Sequence, residues 1–260
     1  MRALSALIAA ATLCSMAAPS LAQDASSQKA STKGFYATAG AGGSWGSSAS
    51  TTYNNPSVTV GGVTSVVNGT LNGNTPLGGG VAVEAGAGYD FGNSIRAELT
   101  YIYNNASIGA TALGVDVNTA GVKTTGTINA NTSGTLNSNS VFVSGYYDIK
   151  NSSKFTPYAG AGIGYTSISL PNQNASGTFN LQFAGLGSAS GSGTVNQNGG
   201  SASAFGYQAK IGVSYALSKP ADVFVEGTYQ GNTGVSINNL NLSALNLFGV
   251  RAGFRYRFGS

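Results

Sequence analysis

The last stretch of the chain, residues 248–258, alternates strictly between two kinds of side chain. It reads FGVRAGFRYRF, with apolar residues at the even positions and only glycine or arginine at the odd ones. Successive side chains of a β-strand point to opposite faces. In a membrane strand the apolar face meets lipid, where an arginine at mid-membrane costs about 2–4 kcal/mol. The stretch therefore predicts a barrel strand with inward arginines, although an edge strand of a soluble sandwich also fits this stretch alone.

The beginning of the chain has the features of a secretory signal peptide, which we place at residues 1–22. Arg2 precedes an apolar run over residues 3–18, and the small residues Ser20 and Ala22 suit cleavage after Ala22. The run is too short to span a bilayer as a stable helix. Cleavage would remove Cys14, the only cysteine, so the mature chain has no disulfide. Residues 23–33 then form a short periplasmic tether.

The composition favours a membrane barrel over a soluble domain. The chain has 39 glycines and only 8% charged residues, whereas soluble domains carry about 25% charge. After the signal peptide no run reaches the 18 or more apolar residues of a membrane helix. A secreted fibrous or disordered chain is the alternative that composition alone allows. The net charge is +4 without a basic cluster, so we expect no nucleic-acid binding.

Alternating stretches recur along the chain and predict eight strands of about 10 residues or more, the length that a tilted membrane strand needs. They are residues 34–46, 81–91, 94–103, 140–149, 155–167, 204–217, 222–230 and 248–258. Long polar connections alternate with short turns; we interpret the long ones as loops at residues 47–80, 104–139, 170–203 and 231–243. This predicts an all-β fold: a transmembrane antiparallel up-and-down β-barrel over residues 34–258, with long extracellular loops and short periplasmic turns.

Two details refine this prediction. Aromatic residues gather at both ends of the predicted strands, as in the girdles at the two membrane interfaces. Short alternating stretches also lie inside the first and third loops, at residues 57–67 and 179–183. They either extend the barrel above the membrane or add a hairpin to make ten strands.

The chain resembles the OmpA-like, opacity-type outer-membrane barrels, a family that includes bacterial surface antigens. The residues that carry this resemblance are GFY at 34–36, YYDI at 146–149 and FTPYAGAGIGY at 155–165. The last strand also resembles an outer-membrane assembly signal, through Arg251, Gly253, Tyr256 and Phe258. The resemblance implies insertion into the bacterial outer membrane as a monomer, by the barrel assembly machinery, among lipid and lipopolysaccharide. Gly259 and Ser260 depart from the pattern, because family members usually end on the aromatic residue.

A set of charged residues falls on the inward faces of the predicted strands. It comprises Glu84, Arg96, Glu98, Lys210, Glu226, Arg251 and Arg255. The interior of an eight-stranded barrel is narrow enough for side chains to fill, and buried charges need partners. We therefore expect a network of ion pairs, which acts either as a permanent plug or, as the resemblance allows, as a gate whose partners exchange. Arg96, Lys210 and Arg251 are the expected partners of Glu84.

The sequence points away from catalysis and towards a surface role. It has no histidine, so imidazole-based hydrolysis is excluded, and we expect no enzyme activity, metal or cofactor. The loops are long and nearly uncharged, and loops on a rigid scaffold commonly carry function. We predict a structural, surface-exposed scaffold whose loops serve adhesion or antigenic display; a neutral hydrated coat fits equally. A narrow, salt-bridge-gated pore for small solutes is the alternative.

Overall fold

The computed structural model describes residues 33–258, apart from 61, 67–68, 120–121 and 132–133. The predicted signal peptide and all of the predicted tether except Lys33 lie outside the described residues, as do Gly259 and Ser260. In the described part of the chain, no helix is long and apolar enough to cross a membrane. The described residues form eighteen strands, numbered β1–β18 in chain order.

Eight of these strands close into an antiparallel barrel, which confirms the predicted fold. Around the barrel their order is β1-β18-β15-β14-β11-β10-β7-β6. They are β1 (Gly34–Gly46), β6 (Gly79–Asp90), β7 (Ile95–Ile108), β10 (Gly134–Asp148), β11 (Phe155–Leu170), β14 (Gly200–Ala216), β15 (Ala221–Asn232) and β18 (Asn246–Arg257). Closure leaves no free edge, so every strand of the barrel has two hydrogen-bonded neighbours, as a membrane requires.

The outer surface of the barrel is apolar and banded by aromatic rings. Exposed side chains include Val143, Ile163 and Ile211 at 61%, 61% and 70%. At the rim of the short turns, Phe35 and Phe91 both contact Tyr89, and Phe155 contacts Tyr215. At the opposite rim, Tyr229 contacts both Tyr207 and Phe248. Both predicted girdles are therefore present.

Inward glycines make room for rings on neighbouring strands, which keeps the narrow barrel filled. A Cβ atom at Gly160 would lie 2.3 Å from Cδ1 of Tyr146. One at Gly212 would lie 2.7 Å from Cζ of Tyr158. Real Cβ atoms do not approach so closely, so the packing of these rings requires glycine at both positions.

The interpretation of the long connections as loops is wrong. They form a second, ten-stranded sheet in the order β16-β17-β2-β5-β8-β9-β12-β13-β3-β4. Its strands are β2 (Ala49–Asn54), β3 (Ser57–Val60), β4 (Val63–Val66), β5 (Thr70–Thr75), β8 (Thr111–Thr119), β9 (Val122–Asn131), β12 (Gln173–Phe183), β13 (Gly187–Gln197), β16 (Val235–Ile237) and β17 (Leu240–Leu242).

The second sheet also resolves the alternative of ten membrane strands. The stretches at residues 57–67 and 179–183 join this sheet, in β3, β4 and β12, and not the barrel. The hairpin of β3 and β4 comes from the first long connection but pairs with β13 of the third, where Thr59 lies opposite Thr194. The barrel therefore has eight strands, and ordered hairpins extend it on one side.

A continuous apolar core explains why these polar connections are ordered. Residues that alternate with Asn, Ser and Thr point to a common interior, and Leu71, Leu113 and Leu136 are 1–2% exposed there. Threonine also favours strands, because its branched side chain suits a pleated surface. Composition alone suggests loops because the outward residues are small and polar, while the apolar residues that build the core are spaced two apart.

Candidate functional site

The centre of the barrel holds four charges that neutralise one another. Oε2 of Glu84 lies 2.8 Å from Nζ of Lys210 and 2.7 Å from Nη1 of Arg251. Nζ of Lys210 also lies 2.9 Å from Oε1 of Glu226. All four side chains are 1–3% exposed. Two cations and two anions thus meet almost out of contact with water, where removal of one partner costs far more than at a surface.

Above this cluster, towards the long connections, amide side chains continue the network. Nη2 of Arg251 donates to Oε1 of Gln230 at 2.8 Å and to Oδ1 of Asn104 at 3.2 Å. Asn104 donates in turn to Oε1 of Gln230 at 2.9 Å. These groups give Arg251 neutral acceptors in addition to the Glu84 carboxylate. The network therefore ends in uncharged polar groups at its upper side.

Below the cluster, aromatic rings separate it from the charges near the short turns. The guanidinium carbon of Arg96 lies 4.7 Å from the ring centre of Tyr146 and 5.2 Å from that of Tyr158. That of Arg255 lies 5.4 Å from the ring centre of Tyr36. Such contacts attract a cation to the negative face of the ring. The arginines are thus held by rings as well as by carboxylates.

Glu98 is satisfied by hydroxyl groups. Tyr36 donates to its Oε2 at 3.0 Å, and Tyr146 and Thr100 donate to its Oε1 at 3.2 and 2.8 Å. Oε2 of Glu226 similarly accepts from the Tyr158 hydroxyl at 2.8 Å. The inward tyrosines therefore link the central charges to the lower layer.

The lowest layer of charges lies at the rim of the short turns. Arg96 binds Asp148 with two hydrogen bonds, from Nε at 2.8 Å and from Nη2 at 2.9 Å. Nη2 of Arg257 donates to Oδ2 of Asp222 at 2.5 Å, and Nη1 of Arg255 lies 3.7 Å from the same oxygen. The fork of a guanidinium matches a carboxylate in both geometry and charge.

The structure places all seven predicted interior charges inside the barrel, but in two layers instead of one network of mutual pairs. Glu84, Lys210, Glu226 and Arg251 meet at the centre. The expected pair of Arg96 with Glu84 is wrong, because Arg96 sits lower in the barrel, against Asp148 and the tyrosines. Of the predicted assembly residues, Arg251, Gly253 and Tyr256 lie on β18, and Phe258 follows directly after it. Tyr256 and Phe258 face outward, 43% and 55% exposed, and Arg251 faces inward.

The predicted charge network left out five residues that the structure places in it, although the alternation already put Asp90 and Arg257 on inward faces. The five are Tyr36, Asp90, Asp148, Asp222 and Arg257. All except Tyr36 lie at strand ends on the rim of the short turns, where acidic and basic residues are common in any protein. The alternation could have revealed their inward position: Asp148, for example, lies two residues after Tyr146 and four after Ser144, so it belongs to the same inward face of the strand.

An apolar core covers the charged interior on the side of the long connections. Ile108, Ile168, Leu245 and Leu247 belong to it and are at most 8% exposed. At the boundary is a cavity of about 20 Å³, space for about one water molecule. Its lining combines both kinds of side chain: Asn104, Ser138, Ser140, Thr166, Gln230 and Asn232 with Leu136, Ile168, Leu245 and Leu247.

Comparisons with known proteins agree with this architecture. The family model described as surface antigen matches residues 79–253, which is 175 of the 260 residues. Outer membrane protein PagN of Salmonella typhimurium is 27% identical over 170 residues, covering 63% of this chain. The chain spans 61% of the length of PagN.

Two solved structures show a distant likeness to this chain. Neisserial surface protein A has a TM-score of 0.46 at 18% identity, covering 86% of this chain and 97% of its own. OprG of Pseudomonas aeruginosa has a TM-score of 0.39 at 15% identity, covering 89% of this chain and 99% of its own. Taken with the closed barrel and its lipid-facing surface, the family match means that this chain is a bacterial outer-membrane β-barrel that belongs to the surface antigen family.

Proposed function

We propose that this outer-membrane barrel is a scaffold that holds a rigid β-sheet platform outside the cell for adhesion to another surface. The observation that carries the proposal is the ten-stranded sheet with its own apolar core, built from all four long connections. Ordered hairpins lose less conformational entropy on binding than mobile loops do, so a preformed platform favours recognition. The role needs no catalysis, and the charged interior then serves to keep the barrel closed and rigid.

The similarity to surface proteins supports a role in contact between cells. Neighbouring solved structures include the attachment invasion locus protein of Yersinia pestis, whose name describes attachment. The exposed faces of the platform are rich in Asn, Ser, Thr and Gly, and within the described hairpins the charges are Asp116 and Lys123, whose side chains are 71% and 57% exposed. Neutral hydrogen-bonding groups suit recognition of polypeptide or sugar better than of strongly charged polymers.

An adhesion assay tests the proposal. A non-adherent laboratory bacterium would display either the full chain or a trimmed barrel in which short turns replace residues 49–75, 111–131, 173–197 and 235–242. We expect the full chain to raise adherence to cultured epithelial cells and the trimmed barrel not to. Equal adherence of the two strains, at equal amounts in the outer membrane, would refute the proposal.

The pore alternative has less support. The central charges are 1–3% exposed, and the apolar core lies directly over the amides that cap them. Single-channel recordings of the refolded protein should therefore show no conductance steps. Frequent openings would support the pore hypothesis instead. We further propose that Arg251, Gly253, Tyr256 and Phe258 are read by the barrel assembly machinery and that the barrel is a monomer. A Phe258→Ala variant should then reach the outer membrane in smaller amounts.

A further inference from the structure

The hairpin of β12 and β13 has one edge that is only partly covered. In its lower part, β13 pairs with β3, with Thr194 opposite Thr59 and Asn196 opposite Ser57. Further towards the hairpin tip, residues 187–193 of β13 pair with β12 on one side. On their other side, β3 ends at Val60, and beyond it the described residues provide no strand. An exposed part of a sheet edge thus begins where β3 ends.

Hydrogen bonds at the tip show which backbone groups of this edge point outward. Leu186 donates to the Phe183 carbonyl at 3.0 Å across the turn, whereas Ala184 donates to Lys123 of β9 at 2.9 Å. Phe183 and every second residue before it therefore bond to β13. Because hydrogen-bonded and non-bonded pairs alternate in an antiparallel ladder, the N–H and C=O groups of three β13 residues face away from β12. These residues are Ser188, Ser190 and Ser192.

The exposed edge lacks the features that normally prevent strand addition. Native edge strands carry charged side chains, proline or bulges that block pairing with other chains. Residues 187–193 read GSASGSG, with neither charge nor proline, and residues 187–192 are all exposed. A stretch of this kind offers its backbone to any extended polypeptide that can reach it.

The two faces of the hairpin define the chemistry of a suitable strand. On the inner face Gly187, Ala189 and Gly191 carry little side chain, and the Phe179 ring covers Gly191, with Cζ 2.9 Å from where a Cβ would lie. This leaves apolar space beside the ring for side chains of an added strand. On the outer face stand the three serines. An added strand therefore fits best when apolar residues alternate with threonine or serine.

We propose that residues 187–193 bind an extended segment of a partner polypeptide, which adds to the sheet antiparallel to β13 and continues the line of β3. The proposal rests on the adhesion function and names its partner chemistry. β3 already pairs with this edge of β13 in the antiparallel direction. A second copy in the same membrane is disfavoured as the occupant, because copies that share an orientation would bring their β13 edges together in parallel.

The test uses the purified full chain and a fluorescent nine-residue peptide of alternating valine and threonine with a lysine at each end. Ser190→Pro removes an outward N–H without removing a bond to β12, and edge strands tolerate such a proline. Ser190→Ala is the matched control, because it keeps the N–H and removes only the hydroxyl. We expect Ser190→Pro to weaken peptide binding at least tenfold and Ser190→Ala to bind like the unaltered chain. Equal binding by both variants, or no binding by the unaltered chain, overturns the proposal.

Amide hydrogen exchange provides a second readout on the unaltered chain, independent of any effect of proline on folding. Without peptide, the amides of Ser188, Ser190 and Ser192 should exchange fast and those of Ala189 and Gly191 slowly. Added peptide should slow the three serine amides. A peptide that leaves them fast does not bind this edge, and the proposal falls.

Adherence of displaying cells separates this proposal from the adhesion function. If Ser190→Pro cells adhere as well as Ser190→Ala cells while the trimmed barrel does not adhere, the adhesion function stands and strand addition is not its mechanism. If the full chain binds the peptide in the expected exchange pattern but does not adhere, the edge site stands and the adhesion function is refuted.

Discussion

The membrane barrel has a polar interior and the extracellular part of the molecule an apolar one, although some strands run through both. In β11, Ile163 and Tyr165 face outward, 61% and 60% exposed, and glycines line the interior. A few residues further on, Ile168 faces inward at 1%, and Ser169 faces outward. The strand does not turn over; the apolar residues change from odd to even positions. Similar changes occur in β7, β10 and β14.

This change of side follows from what surrounds each half. In the membrane the outer face must be apolar, so polar and charged groups collect inside and must satisfy one another. Above the membrane the outer face meets water, so the usual burial of apolar side chains returns. The two halves therefore depend on different forces, ion pairs below and apolar packing above, and variants can test each half separately.

The largest effect should come from the central charges. Glu84→Ala leaves Arg251 without a carboxylate and should lower the free energy of unfolding by about 3–5 kcal/mol. The measurement is urea unfolding of the refolded protein in lipid vesicles, followed by the mobility difference between unboiled and boiled samples. Combined with Arg251→Ala, the loss should be smaller than the sum of the two single losses. If the two losses in unfolding free energy were strictly additive, the charges inside the barrel would be solvated and not paired with each other.

A smaller and more local effect should follow from a cavity in the upper half. Leu113 is 2% exposed and packs against Gly73 of the neighbouring strand. Leu113→Ala should cost about 2–5 kcal/mol within the second sheet. Amide hydrogen exchange should accelerate in β5 and β8 while the unfolding of the barrel stays unchanged; Ala112→Ser, on the exposed face beside it, is the control. If the barrel is destabilised equally, the two halves form a single cooperative unit.

One strand offers a matched pair on the two sides of the membrane boundary. Ala209 and Ser203 of β14 are both exposed and point outward. Ala209→Arg puts a charge into lipid and should cost about 2–4 kcal/mol. Ser203→Arg meets water and should change stability by less than about 0.5 kcal/mol. The same urea unfolding measures both, and equal costs would mean that the boundary lies elsewhere on the strand.

The smallest effect concerns the pH dependence of the upper half. Burial raises the pKa of Tyr53 in β2 above its usual value of 10.0. The folded sheet therefore keeps this proton at a pH where the unfolded chain loses it, so stability is complete below pH 10 and declines as the pH rises further. Hydrogen exchange in β2 should accelerate less steeply above pH 10 in Tyr53→Phe than in the unaltered chain. Identical pH profiles would assign the loss to other groups.

Much of the fold was predictable because membrane strands obey a local rule. The alternation at residues 81–91 or 248–258 assigns every side chain to lipid or interior without knowledge of its neighbours. The signal that would have revealed the second sheet was also in the sequence. After Ile163 and Tyr165 come Ile168 and Leu170, a change of parity that ends a membrane strand but not the strand itself.

By itself, the sequence determined eight alternating strands of a barrel, their lipid-facing surface and the inward position of their charges, because these depend only on a period of two. That the stretches at residues 57–67 and 179–183 add no strands to the barrel was decided by the tertiary structure. Only the tertiary structure decided which charges meet. Glu84 and Lys210 are 126 positions apart, and their contact depends on closure of the barrel and on the stagger of its strands. It also decided that β3 crosses from the first connection to β13 of the third. Pairing between distant strands has no local pattern, because any extended backbone offers the same hydrogen bonds.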